Sequence, residues 1–144
     1  MSRRGILEAF PNINKSQLEL TSPATPKYNG IAYAAGDHQR WWWPDRDGIC
    51  YWPPSAQRAV RLAAFQQAFE TLGYRVTANH EVEAGKQKIA IFCKDSTPTH
   101  ASKQLSDGAW SSKLGRLEDI SHDKEGVEGL SYGTIALIME RKTS

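Results

Sequence analysis

The feature that most constrains this chain is a change, at Tyr74, in the period of its apolar residues. Upstream, "SAQRAVRLAAFQQAFETLGY" carries Leu62, Phe65, Phe69 and Leu72 at helical spacing, with Ala59 and Ala68 beside them. Ser55 is placed to cap this helix and Gly73 to end it. Downstream the period is two, and "YRVTA", "KIAIFC", "THASKQL", "AWSSKL" and "YGTIALIMER" read as strands. Asp107-Gly108, between two of these runs, is a strong hairpin signal. A long helix followed by hairpin-linked strands predicts an α+β fold, with the helix packed on an antiparallel sheet of about five strands.

The chain is 144 residues long, the usual size of one domain, and folding at that size buries roughly two-thirds of the unfolded surface. Pro11, Pro23 and Pro26 punctuate the beginning, so residues 1–26 are expected as an extended arm and 27–144 as a single domain. "NGIAYAA" predicts a short helix, capped by Asn29 and ended by Gly36. The loop from Asp37 to Pro54 follows, with four of the five tryptophans. That much aromatic surface needs burying, which argues against disorder. Structurally, Trp41, Trp43 and Trp52 would close the core while Trp42 covers the loop. Functionally, the rings would wall a groove with Asp37 and Arg40 as polar contacts. Adjacent side chains diverge, so both uses are expected.

Net charge is +2 with the basic residues dispersed, which gives no nucleic-acid footprint and no membrane-surface signal. Cys50 and Cys93 fit no zinc or redox spacing and read as free thiols of a reducing compartment. No apolar run reaches transmembrane length and the N-terminus has no apolar signal core, so a cytoplasmic protein is expected. Export without a cleavable signal is left open. The four histidines form no metal-binding pair, and neither a metal nor another cofactor is expected.

Order along the chain suggests chemistry. A helix start comes first, then His100 opening a strand after Pro98, then the Asp-Gly hairpin with Trp110, then Asp119 in "GRLEDI". A helix N-terminus acidifies a thiol, a histidine on a facing strand takes its proton, and a carboxylate or amide orients the ring. That is the order of a cysteine nucleophile, its base and its orienter. Asp119 is the leading orienter, with Glu118 and Gln104 as alternatives. The nucleophile position is held by Gly30. Cys93 follows Ile89 and Ile91 on one strand face and Cys50 lies in a loop, so neither is expected to replace it.

The stretches "YNGIAYAAGDHQRWWWP", "YWPP", "FQQAFETLGY", "THASKQLSDGAWSSKLGRLEDISHD" and "YGTIALIMER" resemble an uncharacterised bacterial domain family. Its members read Asn-Cys-Ile-Ala-Trp-Ala at the first motif, then Gly-Asp and three tryptophans. The order of elements also resembles the papain-like superfamily, including its NlpC-type and CHAP-type amidases. The resemblance implies a papain-like fold and a cysteine hydrolase or acyl transferase, with Gly30 at the nucleophile position, His100 as base and Asp119 as orienter. Asn29, Asp37, Arg40, Trp41, Trp42, Trp43 and Trp110 would contact substrate. It further implies a bacterial toxin or effector with an immunity protein as partner, and a chain that glycine leaves inactive. Gly30 then marks an inactivated enzyme, a drift into a binding module that holds a peptide or protein, or a plain helix-start glycine.

Overall fold

The computed structural model describes residues 2–143. Three α-helices, α1 (Arg3–Ala9), α2 (Gly30–Ala35) and α3 (Leu62–Glu70), and a 3-10 turn at Lys15–Gln17 accompany seven strands among the described residues. These are β1 (Glu19–Ser22), β2 (Arg75–Val76), β3 (Lys86–Lys94), β4 (Thr97–Gln104), β5 (Trp110–Lys113), β6 (Asp119–His122) and β7 (Thr134–Lys142). They form one sheet in the order β1-β6-β5-β4-β3-β7-β2, with every neighbouring pair antiparallel.

The expected papain-like arrangement of a long helix on five strands is therefore corrected. The sheet has seven strands, and the helix predicted across residues 55–74 is nine residues long. Its strong apolar positions all lie from Leu62 onward, and the segment before it is held by other partners. Gln57 N–H bonds the side chain of Gln67, and the Arg58 guanidinium bonds Asp45 and the Cys50 carbonyl. Arg61, not Ser55, stands at the N-cap. The two unforeseen strands are short. β1 lies within the supposedly extended arm, which also contains α1, and β6 begins at Asp119.

Each face of the sheet packs its own core. On one face Ile89, Ile91, Ala101 and Met139 meet α2, α3 and the tryptophan loop. On the other, Ala90, Phe92, Trp110 and Ile120 meet Ile6, Phe10, Ile13 and Leu18 of the N-terminal arm. Strand alternation places neighbouring residues on opposite faces. Among the described residues no helix is long and apolar enough to cross a membrane.

Candidate active site

The site begins at α2. Asn29 caps the helix, its Oδ1 accepting from Ala32 N–H at 3.1 Å and from Trp42 N–H at 3.1 Å, while its Nδ2 donates to the Trp42 carbonyl at 2.8 Å. One buried amide thus ties the helix start to the tryptophan loop. Gly36 ends the helix at φ +88°, a conformation that favours glycine.

The ladder between β4 and β5 pairs only Lys103 with Ser111 and Gln104 with Trp110. Gly30 reaches both strands beyond that point. A Cβ on Gly30 would lie 2.5 Å from His100 Nδ1, 2.6 Å from its Cε1 and 3.0 Å from the Lys113 carbonyl. The His100 ring fills the space a side chain at position 30 would need. Tyr132 stacks on the ring at 4.0 Å between centroids and 4° between planes.

His100 Nε2 lies 3.0 Å from Ser112 Oγ, which lies 2.7 Å from His122 Nε2. His122 Nδ1 lies 2.6 Å from the Asp123 backbone carbonyl. Burial, with His122 adding to it, pushes His100 down to about 3, and burial also lowers His122. Burial thus favours the neutral form of both rings.

Asp119, Glu118 and Gln104 do not hold the orienting place. Asp119 pairs with Lys113 in the β5–β6 register, one position out of phase with Ser112 and Ile120, so it faces the α2 side. There it accepts from Tyr28 O–H at 2.9 Å. Burial, then that bond to Asp119, pushes the Tyr28 phenol up to about 12. The Gln104 amide donates to the His80 carbonyl, and the Glu118 carbonyl accepts from Leu114 N–H in the β5–β6 turn.

A hollow of about 330 Å³ opens beside Gly30 and His100, walled by Trp41, Trp43, Ile31, Thr99 and Tyr132. Trp52 is in the core as expected and Trp43 packs on it, but Trp42 is buried there instead of covering the loop, and Trp41 faces the hollow instead of closing the core. Trp43 lines the hollow as well, while packing on Phe65. Asp37 and Arg40 do not line it. Asp37 accepts from Arg40 Nε and from Trp42 Nε1, both at 2.8 Å, and the Arg40 guanidinium lies over Tyr51. Trp110 is buried in the core of the other face.

Sequence reasoning missed Ser112, His122 and Tyr132, whose approach to His100 needs the strand register. It also missed that Cys50 lines the hollow. Burial, with the Asp45 carboxylate adding to it, raises the Cys50 thiol, and burial raises Cys93. Neither is an acidified nucleophile. Among the described residues no group of three or more His, Cys, Asp or Glu could hold a metal ion.

A family model described as a domain of unknown function (DUF7689) matches residues 19–140. No curated protein and no solved structure matches the chain.

Proposed function

The chain belongs to the DUF7689 family of domains of unknown function, and we propose that its Gly30–His100 pocket is a thiol hydrolase or acyltransferase site lacking its nucleophile. One observation carries this reading: the missing Cβ of Gly30 points at His100 Nδ1 from 2.5 Å. A buried base aimed at a glycine at a helix start is the arrangement of a nucleophile and base with one partner removed.

In a form with cysteine at this position, the ring withdraws by about 1 Å to restore ordinary contact. The thiolate charge beside the ring would offset the burial that keeps His100 uncharged in this chain. Nδ1 then takes the thiol proton, and the thiolate attacks an acyl carbonyl to form a thioester. The protonated ring then gives its proton to the leaving group, and water or an acceptor amine or alcohol releases the acyl group. At the helix start the N–H groups of Gly30 and Ile31 lack intrahelical partners and would be available to stabilise the oxyanion. The Trp41, Trp43 and Tyr132 walls hold the substrate's apolar part. A toxin or effector role, with an immunity protein as partner and delivery without a cleavable signal, accompanies this reading through the family resemblance.

The test is Gly30→Cys in a chain also carrying Cys50→Ser and Cys93→Ser. The single thiol is expected to react with an electrophilic probe near neutral pH about tenfold faster than an ordinary cysteine. A rate no faster than a free thiol, with expression that harms no host, would sink the proposal. A second reading is a binding module, favoured by an aromatic-walled hollow intact without any nucleophile. Titration of the unmodified chain with peptides bearing aromatic or aliphatic side chains tests it, and Trp41→Ala should weaken any binding seen.

A further inference from the structure

We infer that Ser112 and His122 are positioning residues for His100, fixing its ring in the tautomer whose bare Nδ1 faces position 30. The catalytic meaning of this relay rests on the reading proposed above; the tautomers themselves do not.

The far end of the chain of bonds fixes the first proton. His122 Nδ1 lies 2.6 Å from the Asp123 carbonyl, which can only accept, so Nδ1 carries the proton. A neutral imidazole has one N–H, which leaves His122 Nε2 as an acceptor. Ser112 Oγ, 2.7 Å away, donates its single proton there. Only lone pairs then remain on that oxygen for His100 Nε2 at 3.0 Å, so His100 donates from Nε2. Its Nδ1 is left bare, and Nδ1 is the nitrogen that meets the place of a side chain on Gly30.

The relay is closed to solvent. His100 is 2 % exposed, and Ser112 and His122 are 0 % exposed. Burial also favours the neutral form of both rings, as the deduction requires. Strand geometry explains the approach. Trp110 pairs with His122 and Ser112 with Ile120, so Ser112 and His122 are diagonal neighbours on one sheet face. The Tyr132 ring closes the stack on His100. Asp119, on the opposite face, takes no part.

Nitrogen-15 NMR of the histidine rings in the unmodified chain, near neutral pH, tests this directly. The expected result is His100 as the Nε2–H form and His122 as the Nδ1–H form, each a single tautomer. His100 as the Nδ1–H form, or a charged ring at either position, overturns the inference. Ser112→Ala should cost His100 its single tautomer, and Ser112→Thr, which keeps the hydroxyl, should restore it. In the Gly30→Cys background, Ser112→Ala should slow thiol labelling on the order of tenfold, again restored by Ser112→Thr. A folded Ser112→Ala chain with tautomer and labelling unchanged overturns the positioning role. If Ser112→Ala does not fold, the tautomers of the unmodified chain decide. An inert thiol in Gly30→Cys, with tautomers as deduced, removes the hydrolase reading and leaves the relay standing as a structural device.

Discussion

Asp119 and His100 belong to the same sheet and stand on its opposite faces. On the α2 face, Asp119 sits among groups that carry or offer charge. Tyr28 donates to it, and the ammonium groups of Lys103 and Lys113 lie over the rings of Tyr33 and Tyr28 at 4.1 and 5.1 Å. Burial lowers both lysines while Asp119 pulls them back up. On the other face, His100, Ser112 and His122 form a neutral chain that ends at a hollow. One cluster balances buried charge and supports the fold. The other holds a single unprotonated nitrogen beside an open space. Buried polar residues from one stretch of chain thus take different roles according to strand phase, and proximity in sequence is no guide to which.

The largest expected effect breaks the charged face alone. Asp119→Ala leaves the Tyr28 hydroxyl without its acceptor and removes the carboxylate near the buried Lys113 and half-buried Lys103 side chains. The expected loss is about 3 kcal/mol, read as a lower denaturant midpoint at unchanged slope. The ring signals of His100 and His122 should stay where they were. A shift in the His100 tautomer would mean that the faces are coupled and that the separation drawn above is wrong.

Acid should act on the neutral face next. His100 has a folded value of about 3 against about 6.5 unfolded. Between those values the unfolded chain binds a proton that the folded chain refuses, so stability falls as pH falls below about 6.5. The share from His100 at pH 5 is about 2 kcal/mol. His122 shifts in the same direction and adds to it. Unfolding measured from pH 7 to pH 5 checks the slope, and a folded His100→Gln variant should flatten it. A flat profile in the unmodified chain would mean that His100 is not sealed.

What was legible in the sequence follows the same division. The α2 caps at Asn29 and Gly36, the hairpin at Asp107-Gly108, and five of the strands rest on local signals, and they stand in the structure. So does the adjacency of Gly30 and His100, as distinct from any chemistry there. β1 was hidden because "ELTS" is polar and mostly exposed, and becomes a strand only through its backbone pairing with β6. The start of α3 was hidden because Gln57 and Arg58 satisfy distant partners instead of a helix. Order along the chain puts Asp119 beside His100 because it carries no strand phase. Ser112 and His122 were invisible for the same reason, since their meeting depends on which residues of β5 and β6 face each other.

The smallest effect, and the most exacting test of the contact at the centre of the site, is Gly30→Ala. Two influences favour alanine. It improves a helix start by up to about 1 kcal/mol and narrows the unfolded ensemble. Against them, the new Cβ meets His100 Nδ1 at 2.5 Å and the Lys113 carbonyl at 3.0 Å. A histidine on a free surface would simply swing away. Here the Tyr132 ring, parallel at 4.0 Å, resists the withdrawal, and Ser112 tethers Nε2. Overpacking of this kind costs about 1–3 kcal/mol, so the net expectation is a loss of about 1 kcal/mol. A double-mutant cycle with Tyr132→Leu isolates the cause. Trimming that ring gives His100 room to retreat, so the Gly30→Ala penalty should shrink by at least about 0.5 kcal/mol in the Tyr132→Leu background. If Gly30→Ala instead stabilises the chain and shows no coupling to Tyr132, His100 is not seated against Gly30. The bare nitrogen would then face the hollow rather than position 30, and the pocket would be better read as a binding site than as an enzyme's vacated one.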